Sequence, residues 1–318
     1  MRAWVIVGAS SWIYLTASLT ACATPSGRAS GEVPAPVPEN TPAATSLEVS
    51  PPHFTQGEAG SFHYEFSSSE TQSDKAQAVN GSIAVIKIRL PADWIDASLE
   101  ISGDFSGAAI PFYPIDGGKS YEAILGVPYE CPVGPTSLKV HLAKGTQVKD
   151  LQIPFQVNEG RYASEVLKVH GRRVNPTRPA DLKRINLERI EIGQAYRRMT
   201  LKKFWQGPFE LPIQSRVTSA FGTRRVYNGV LKSFHTGLDL KAAMNTPIHA
   251  AAPGIVALSK NLFYTGNTVI LDHGYGILTV YAHMNLRKVK VGDVVDVQQI
   301  LGLSGKTGRV NGPHLHWQ

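Results

Sequence analysis

The sequence predicts a mainly β protein: an N-terminal β-sandwich, a helical connector and a C-terminal β domain. Three observations carry this expectation. Apolar and polar residues alternate in short runs from Leu47 to Val157 and again after Phe209, the period of half-buried strands. Gly and Pro, 29 and 21 of the 318 residues, fall between those runs as turn signals. The interval from 158 to about 205 instead spaces its apolar residues by three, four and seven, the period of a helix face. A hydrophobic content of 42% with 18% charged residues excludes a disordered or fibrous chain, and the length suits about two domains.

Taken in order, Arg2 precedes an uncharged stretch from Ala3 to Ala21 that closes in Leu19-Thr20-Ala21-Cys22. A cationic start, an apolar middle and small closing residues describe an export signal over residues 1–21. Ser10, Ser11, Thr16, Ser18 and Thr20 make the stretch a poor permanent membrane span. Leu-Thr-Ala-Cys resembles the lipobox of bacterial lipoproteins, which implies cleavage before Cys22 and lipidation of Cys22, hence an exported protein anchored to a membrane. Only one other cysteine, Cys131, exists, so no intramolecular disulfide framework follows and any metal must be held by His and carboxylate.

Residues 22–46, with Pro34-Ala35-Pro36-Val37-Pro38, cannot bury enough apolar surface to fold and read as a tether. Residues 47–157 hold the alternating runs Ser82–Leu90, Leu99–Ser102, Ser137–Leu142 and Leu151–Val157, expected to form the sandwich. His53, His63 and His141 are scattered through it without a reactive constellation, so it reads as a spacer or binding module. In the connector, 158–205, Leu182, Ile185, Ile192, Tyr196 and Met199 line one predicted helix face. Arg184, Arg189, Arg197, Arg198, Lys202 and Lys203 make its other side basic. Residues 206–318 then give strand patterns at Pro247–Ala251, Gly254–Leu258, Thr268–Asp272 and Leu278–His283, with loops expected around a groove. The net charge of +7 favours polyanions such as cell-wall polymers, anionic lipid or nucleic acid. The export signal argues against nucleic acid as a partner.

Six of the ten histidines follow residue 234. In His235-Thr236-Gly237-Leu238-Asp239 an extended chain would hold the two end residues about 13 Å apart, too far to share an ion. The backbone must bend between them, and Gly237 is expected to allow it. In His314-Leu315-His316 a strand projects both imidazoles to one side, with Cα atoms about 7 Å apart. His283 ends an apolar run where its side chain can point into a cleft. Two imidazoles and a carboxylate suit a zinc ion with a vacant fourth position, where bound water is acidified to a pKa of about 7. Two histidines then remain for proton transfer and oxyanion stabilisation.

These residues sit in a series that resembles the lysostaphin/LytM-type zinc endopeptidases, which cleave peptidoglycan cross-links. It comprises Ser219-Ala220-Phe221-Gly222-Thr223-Arg224-Arg225, His235–Asp239, Thr246-Pro247-Ile248, Tyr281-Ala282-His283, Gly305-Lys306-Thr307-Gly308 and Gly312–Trp317, over about residues 211 to 318. The resemblance implies His235, Asp239 and His316 as zinc ligands and His314 as general base. It places His283 beside the substrate carbonyl and the tetrahedral intermediate, and peptidoglycan stem peptides in a narrow groove of an antiparallel β domain. The sandwich and helical connector also look like those of some exported members. His249 is expected to be exposed and His273 to belong to a turn. Tyr227, Arg225 and Tyr281 are candidates to line the groove, none singled out. The chain stops two residues after His316, where family members continue, so it is expected to be either a fragment or a chain whose domain is shortened. The alternative function is a non-catalytic peptidoglycan-binding protein or amidase activator; the retained His235, Asp239 and His316 argue against it.

Overall fold

The computed structural model describes residues 63–68, 76–167, 176–198, 200–227 and 230–318. The expected signal, the tether, Cys22, His53 and Met199 lie outside them, as does the side chain of His63.

The chain is mainly β. Its first part is built from β1 (His63–Ser68), β2 (Gln77–Val79), β3 (Ile83–Arg89), β4 (Glu100–Phe105), β5 (Ala108–Pro111), β6 (Tyr113–Ile115), β7 (Ser120–Gly126), β8 (Gly134–Lys144) and β9 (Gln147–Asn158). They form one sheet in the order β1-β3-β7-β6 and another in the order β2-β9-β8-β4-β5. Alternation decides which face is buried. Ala84, Ile86 and Ile88 of β3 and Tyr121, Ala123 and Leu125 of β7 point into a common core. Leu138, Val140 and Leu142 of β8 and Ile153, Phe155 and Val157 of β9 meet them there, while Lys139 and His141 of β8 and Gln152 and Pro154 of β9 face solvent.

The segment after β9 is not purely helical. Ser164–Leu167 forms a strand, β10, before the helix α1 (Pro179–Tyr196). Pro179 sits where a helix has no use for an N–H, and Asp181 faces the positive end of the helix dipole. Only part of the predicted apolar face packs: Ile192, Ala195 and Tyr196 rest on Ala257, Leu258, Leu262, Ile270 and Val280, whereas Leu182 is exposed. Toward its start the helix is held by polar contacts instead. Buried Glu188 accepts the Arg184 side chain at 2.6 Å and the Phe263 N–H at 2.7 Å, and Arg184 reaches Asn261.

The remainder comprises β11 (Val217–Ser219), β12 (Arg224–Tyr227), β13 (Val230–Phe234), β14 (Leu238–Lys241), β15 (Pro247–His249), β16 (Gly254–Leu262), β17 (Gly266–Asp272), β18 (Leu278–Met284), β19 (Leu286–Arg287), β20 (Val294–Val295), β21 (Ile300–Leu303) and β22 (His314–Trp317). The large sheet runs β11-β14-β22-β18-β17-β16-β20, and β15-β21-β19 forms a small one. In β17 nearly every residue is buried because both faces are covered: Ile270 faces α1, while Val269 and Leu271 face a core with Leu240, Ile248, Tyr281, Leu315 and Trp317. A third sheet, β10-β12-β13, joins the connector to this part: β10 pairs in parallel with β12. The sandwich touches it too, where the Tyr129 and Phe234 rings lie 4.0 Å apart. Among the described residues no helix is long and apolar enough to cross a membrane.

Candidate metal centre

Strand register builds the centre. β14 and β22 pair antiparallel with Asp239 directly opposite His316, so both side chains leave the same face of the sheet. On its other side β22 pairs with β18, placing Ala282 opposite His316 and His283 one residue beyond. His235 precedes β14 and is pinned by its backbone: its N–H donates to the Thr223 carbonyl at 2.8 Å and its own carbonyl accepts the Gly222 N–H at 2.7 Å. The chain bends between His235 and Asp239 as expected, but not through a left-handed glycine, since Gly237 has no positive φ. Its missing side chain is what counts. A Cβ there would overlap the Trp317 carbonyl oxygen and lie 3.0 Å from His316 Cε1.

The three side chains converge. His235 Nε2 and His316 Nδ1 are each 2.9 Å from Asp239 Oδ1 and 3.0 Å from one another. All three residues are buried, at 1%, 7% and 8% exposure for His235, Asp239 and His316, and together they can hold a metal ion. The hydrogen-bond inventory tests the fit. His235 Nδ1 lies 2.9 Å from the Ala220 carbonyl, which can only accept, so Nδ1 carries the hydrogen and Nε2 is a lone pair. That lone pair faces a carboxylate oxygen, an arrangement of two acceptors that a shared cation resolves. A tetrahedral zinc ion with bonds of about 2.1 Å has ligand edges of about 3.4 Å. The triangle seen here would open by a few tenths of an ångström to take one. The residues fit.

Electrostatics agree with an anionic Asp239. Burial by itself would raise the Asp239 carboxyl, but the His235 and His316 imidazoles set against its Oδ1 outweigh it and hold the group well below the carboxylate range. Burial lowers the His316 imidazole, only partly offset by Asp239. Arg225 donates to the second oxygen of Asp239, with Nη2 at 2.7 Å from Oδ2.

Two further imidazoles flank the triad. His314, on the same face of β22, has Nε2 3.7 Å from Asp239 Oδ1 and Nδ1 3.0 Å from the Gly312 carbonyl. The His283 ring centre is 4.9 Å from that of His314 and 5.9 Å from that of His316. Burial, then the neighbouring His316 and His314, push the His283 imidazole down to about 3, and its Nδ1 lies 2.8 Å from the Thr307 carbonyl. Its backbone has φ 61°, a left-handed conformation unusual for a non-glycine residue, held by its N–H bond to the Thr265 carbonyl at 2.9 Å.

Of the other residues named from sequence, Tyr281 is core, fully buried with its hydroxyl accepting the Ala251 N–H at 2.9 Å. His249 is half-buried, 3.2 Å from the Pro212 carbonyl, and not exposed. His273 is fully buried between the Pro253 carbonyl and the Thr279 hydroxyl, each at 2.7 Å. The Tyr227 side chain lies outside the described residues. Reasoning from sequence left Arg225 unassigned and missed Glu165 and Ser219 as its neighbours.

The match to known proteins falls on this region. Residues 233–318, which hold all five histidine and aspartate side chains of the centre, match the model of Peptidase family M23. This is an M23 peptidase domain. Its relatives include peptidoglycan DD-endopeptidase ShyA of Vibrio cholerae, 38% identical over 110 residues, which are 34% of this chain and 26% of that protein. Peptidoglycan DD-endopeptidase ShyC of the same organism is 40% identical over 119 residues, 37% of this chain and 27% of the relative. The chain therefore spans about a quarter of the length of these curated relatives. A crystal structure described as a putative peptidase M23 from Pseudomonas aeruginosa superposes with a TM-score of 0.55 at 28% identity, covering 75% of this chain and 88% of that one. That likeness reaches beyond the M23 domain into the preceding elements.

Proposed function

We propose that this protein is a zinc metalloendopeptidase that hydrolyses peptide cross-links of bacterial peptidoglycan. One observation carries the reading: three buried ligand atoms lie within about 3 Å of one another with two more imidazoles at their rim. The M23 match and the endopeptidase names of the relatives supply the substrate class. The Leu19–Cys22 lipobox supports an exported, lipid-anchored protein facing the cell wall.

In this reading His235, Asp239 and His316 hold the ion. Zinc, when bound, supplies a Lewis-acid charge that polarises the scissile carbonyl and acidifies water. The chain does the rest. His314 has its Nδ1 hydrogen committed to the Gly312 carbonyl, so Nε2 offers a lone pair to the attacking water as general base. His283 is in the same state, with Nδ1–H committed to Thr307, and at neutral pH it carries no second proton. Both rings therefore start as acceptors. A proton taken from water by His314 can pass to the leaving amine. Where that same proton passes by way of His283, its Nε2–H donates to the oxyanion before the amine takes the proton, so one proton leaves the water and one reaches the amine.

Digestion of purified peptidoglycan by the zinc-loaded protein, with products identified by mass spectrometry and His314→Ala run alongside, tests this. Cross-linked dimers should disappear only with the parent protein. Equal loss in both samples would remove His314 as the base, and no loss in either would remove the hydrolase reading.

A further inference from the structure

The metal centre has a support that lies outside the M23 match. Asp239 divides its two oxygens: Oδ1 is 2.9 Å from both imidazole ligand atoms, while Oδ2 is 2.7 Å from Arg225 Nη2. A carboxylate with both oxygens free can rotate and present either, or both, to an ion. One held at Oδ2 by a guanidinium presents only Oδ1. Arg225 is aimed there by a bulge, since the β12–β13 register shifts between Arg225 and Val226.

A guanidinium so near a dication would repel it unless its charge were offset. Glu165 stands in that position. On β10 it pairs directly across from Arg225, with Oε2 3.8 Å from Arg225 Nε. The same carboxylate accepts the Ser219 hydroxyl at 3.4 Å. Ser219 Oγ in turn lies 3.4 Å from Arg225 Nη2 and 3.2 Å from His235 Nδ1. The chain of contacts thus runs from the connector strand to two of the three ligands.

We infer that Arg225 and Glu165 are positioning residues of the metal centre, so that seating of the connector strand β10 against β12 sets how tightly the ion is held. This rests on His235, Asp239 and His316 being metal ligands. The test uses the full chain as parent, Arg225→Ala, Arg225→Lys and Glu165→Gln. Zinc affinity is read by competition with a chromophoric chelator, and the site's geometry by the Co(II) absorption spectrum.

Arg225→Ala should bind zinc about 10- to 100-fold more weakly. Its Co(II) bands should weaken as the freed Oδ2 becomes a second ligand atom. Arg225→Lys should recover part of the affinity, and Glu165→Gln should lose severalfold. Affinity and spectrum unchanged in Arg225→Ala would overturn the inference while leaving the metal reading intact. Should Arg225→Ala fold poorly, Glu165→Gln decides, because it leaves Arg225 in place; parent-like affinity there overturns the role of β10. A parent protein that binds no zinc would overturn both.

Discussion

Replacing His273 with Gln should remove a defined part of this protein's sensitivity to acid. His273 is fully buried, its two nitrogens each 2.7 Å from a partner: the Pro253 carbonyl, which only accepts, and the Thr279 hydroxyl. The ring is neutral with its hydrogen on Nδ1, and burial pushes its pKa down to about 4 from the ordinary 6.5. The unfolded chain takes up this proton below about pH 6.5, the folded chain only below about 4, so stability falls as pH drops through that window. A shift of that size is worth about 3 kcal/mol in full, of which about 2.5 kcal/mol is gone by pH 4.5. Urea unfolding of metal-free protein at pH 7.5 and pH 4.5, followed by tryptophan fluorescence, measures the loss. His283 titrates in the same direction but is present in both proteins, and subtraction leaves the contribution of His273. Gln keeps a donor and an acceptor without a titration. If His273→Gln loses as much stability between the two pH values as the parent, the assignment of a neutral, desolvated ring is wrong.

Gly237→Ala should cost about 1–3 kcal/mol by overpacking against the Trp317 carbonyl and should weaken zinc binding, since His316 is pushed as well; unchanged denaturation and zinc titrations would mean the strands have room to part. His314→Ala should lower peptidoglycan hydrolysis by about 100-fold or more while zinc affinity stays within severalfold, because His314 is not among the three converging atoms. Free zinc at about 100 times its dissociation constant should raise the stability of the chelator-stripped protein by about 2.7 kcal/mol. Asp239→Ala should abolish that gain, and a gain that survives would place the ion elsewhere.

Several features were legible in the sequence because they are local. His314 and His316 share a face simply because strand side chains alternate. The runs of β16, β17 and β18 carried their own period. What the chain could not announce is pairing at a distance. That Asp239 lies opposite His316 is a matter of register across 77 residues. Glu165 belongs to the centre only because β10 pairs with β12, and its four-residue strand sat inside a stretch whose wider spacing reads as helix. The exposed Leu182 shows the converse: periodicity marks a candidate face, but α1 extends past the surface it packs on. Arg225 was considered and left without a role because a lone arginine gives no sign of which carboxylate it will meet.

The place of β22 in the large sheet has a consequence for how the molecule is made. The four residues His314–Trp317 are synthesised after every other strand of that sheet, yet they fill the slot between β14 and β18. Until they arrive, those two strands expose unpaired backbone to each other across a gap, and His235 and Asp239 lack their third companion. Closure must gather segments far apart along the chain, which is slow for topological reasons. A chain assembled in this order brings the third of its converging side chains, His316, into place in the same event that fills the slot between β14 and β18.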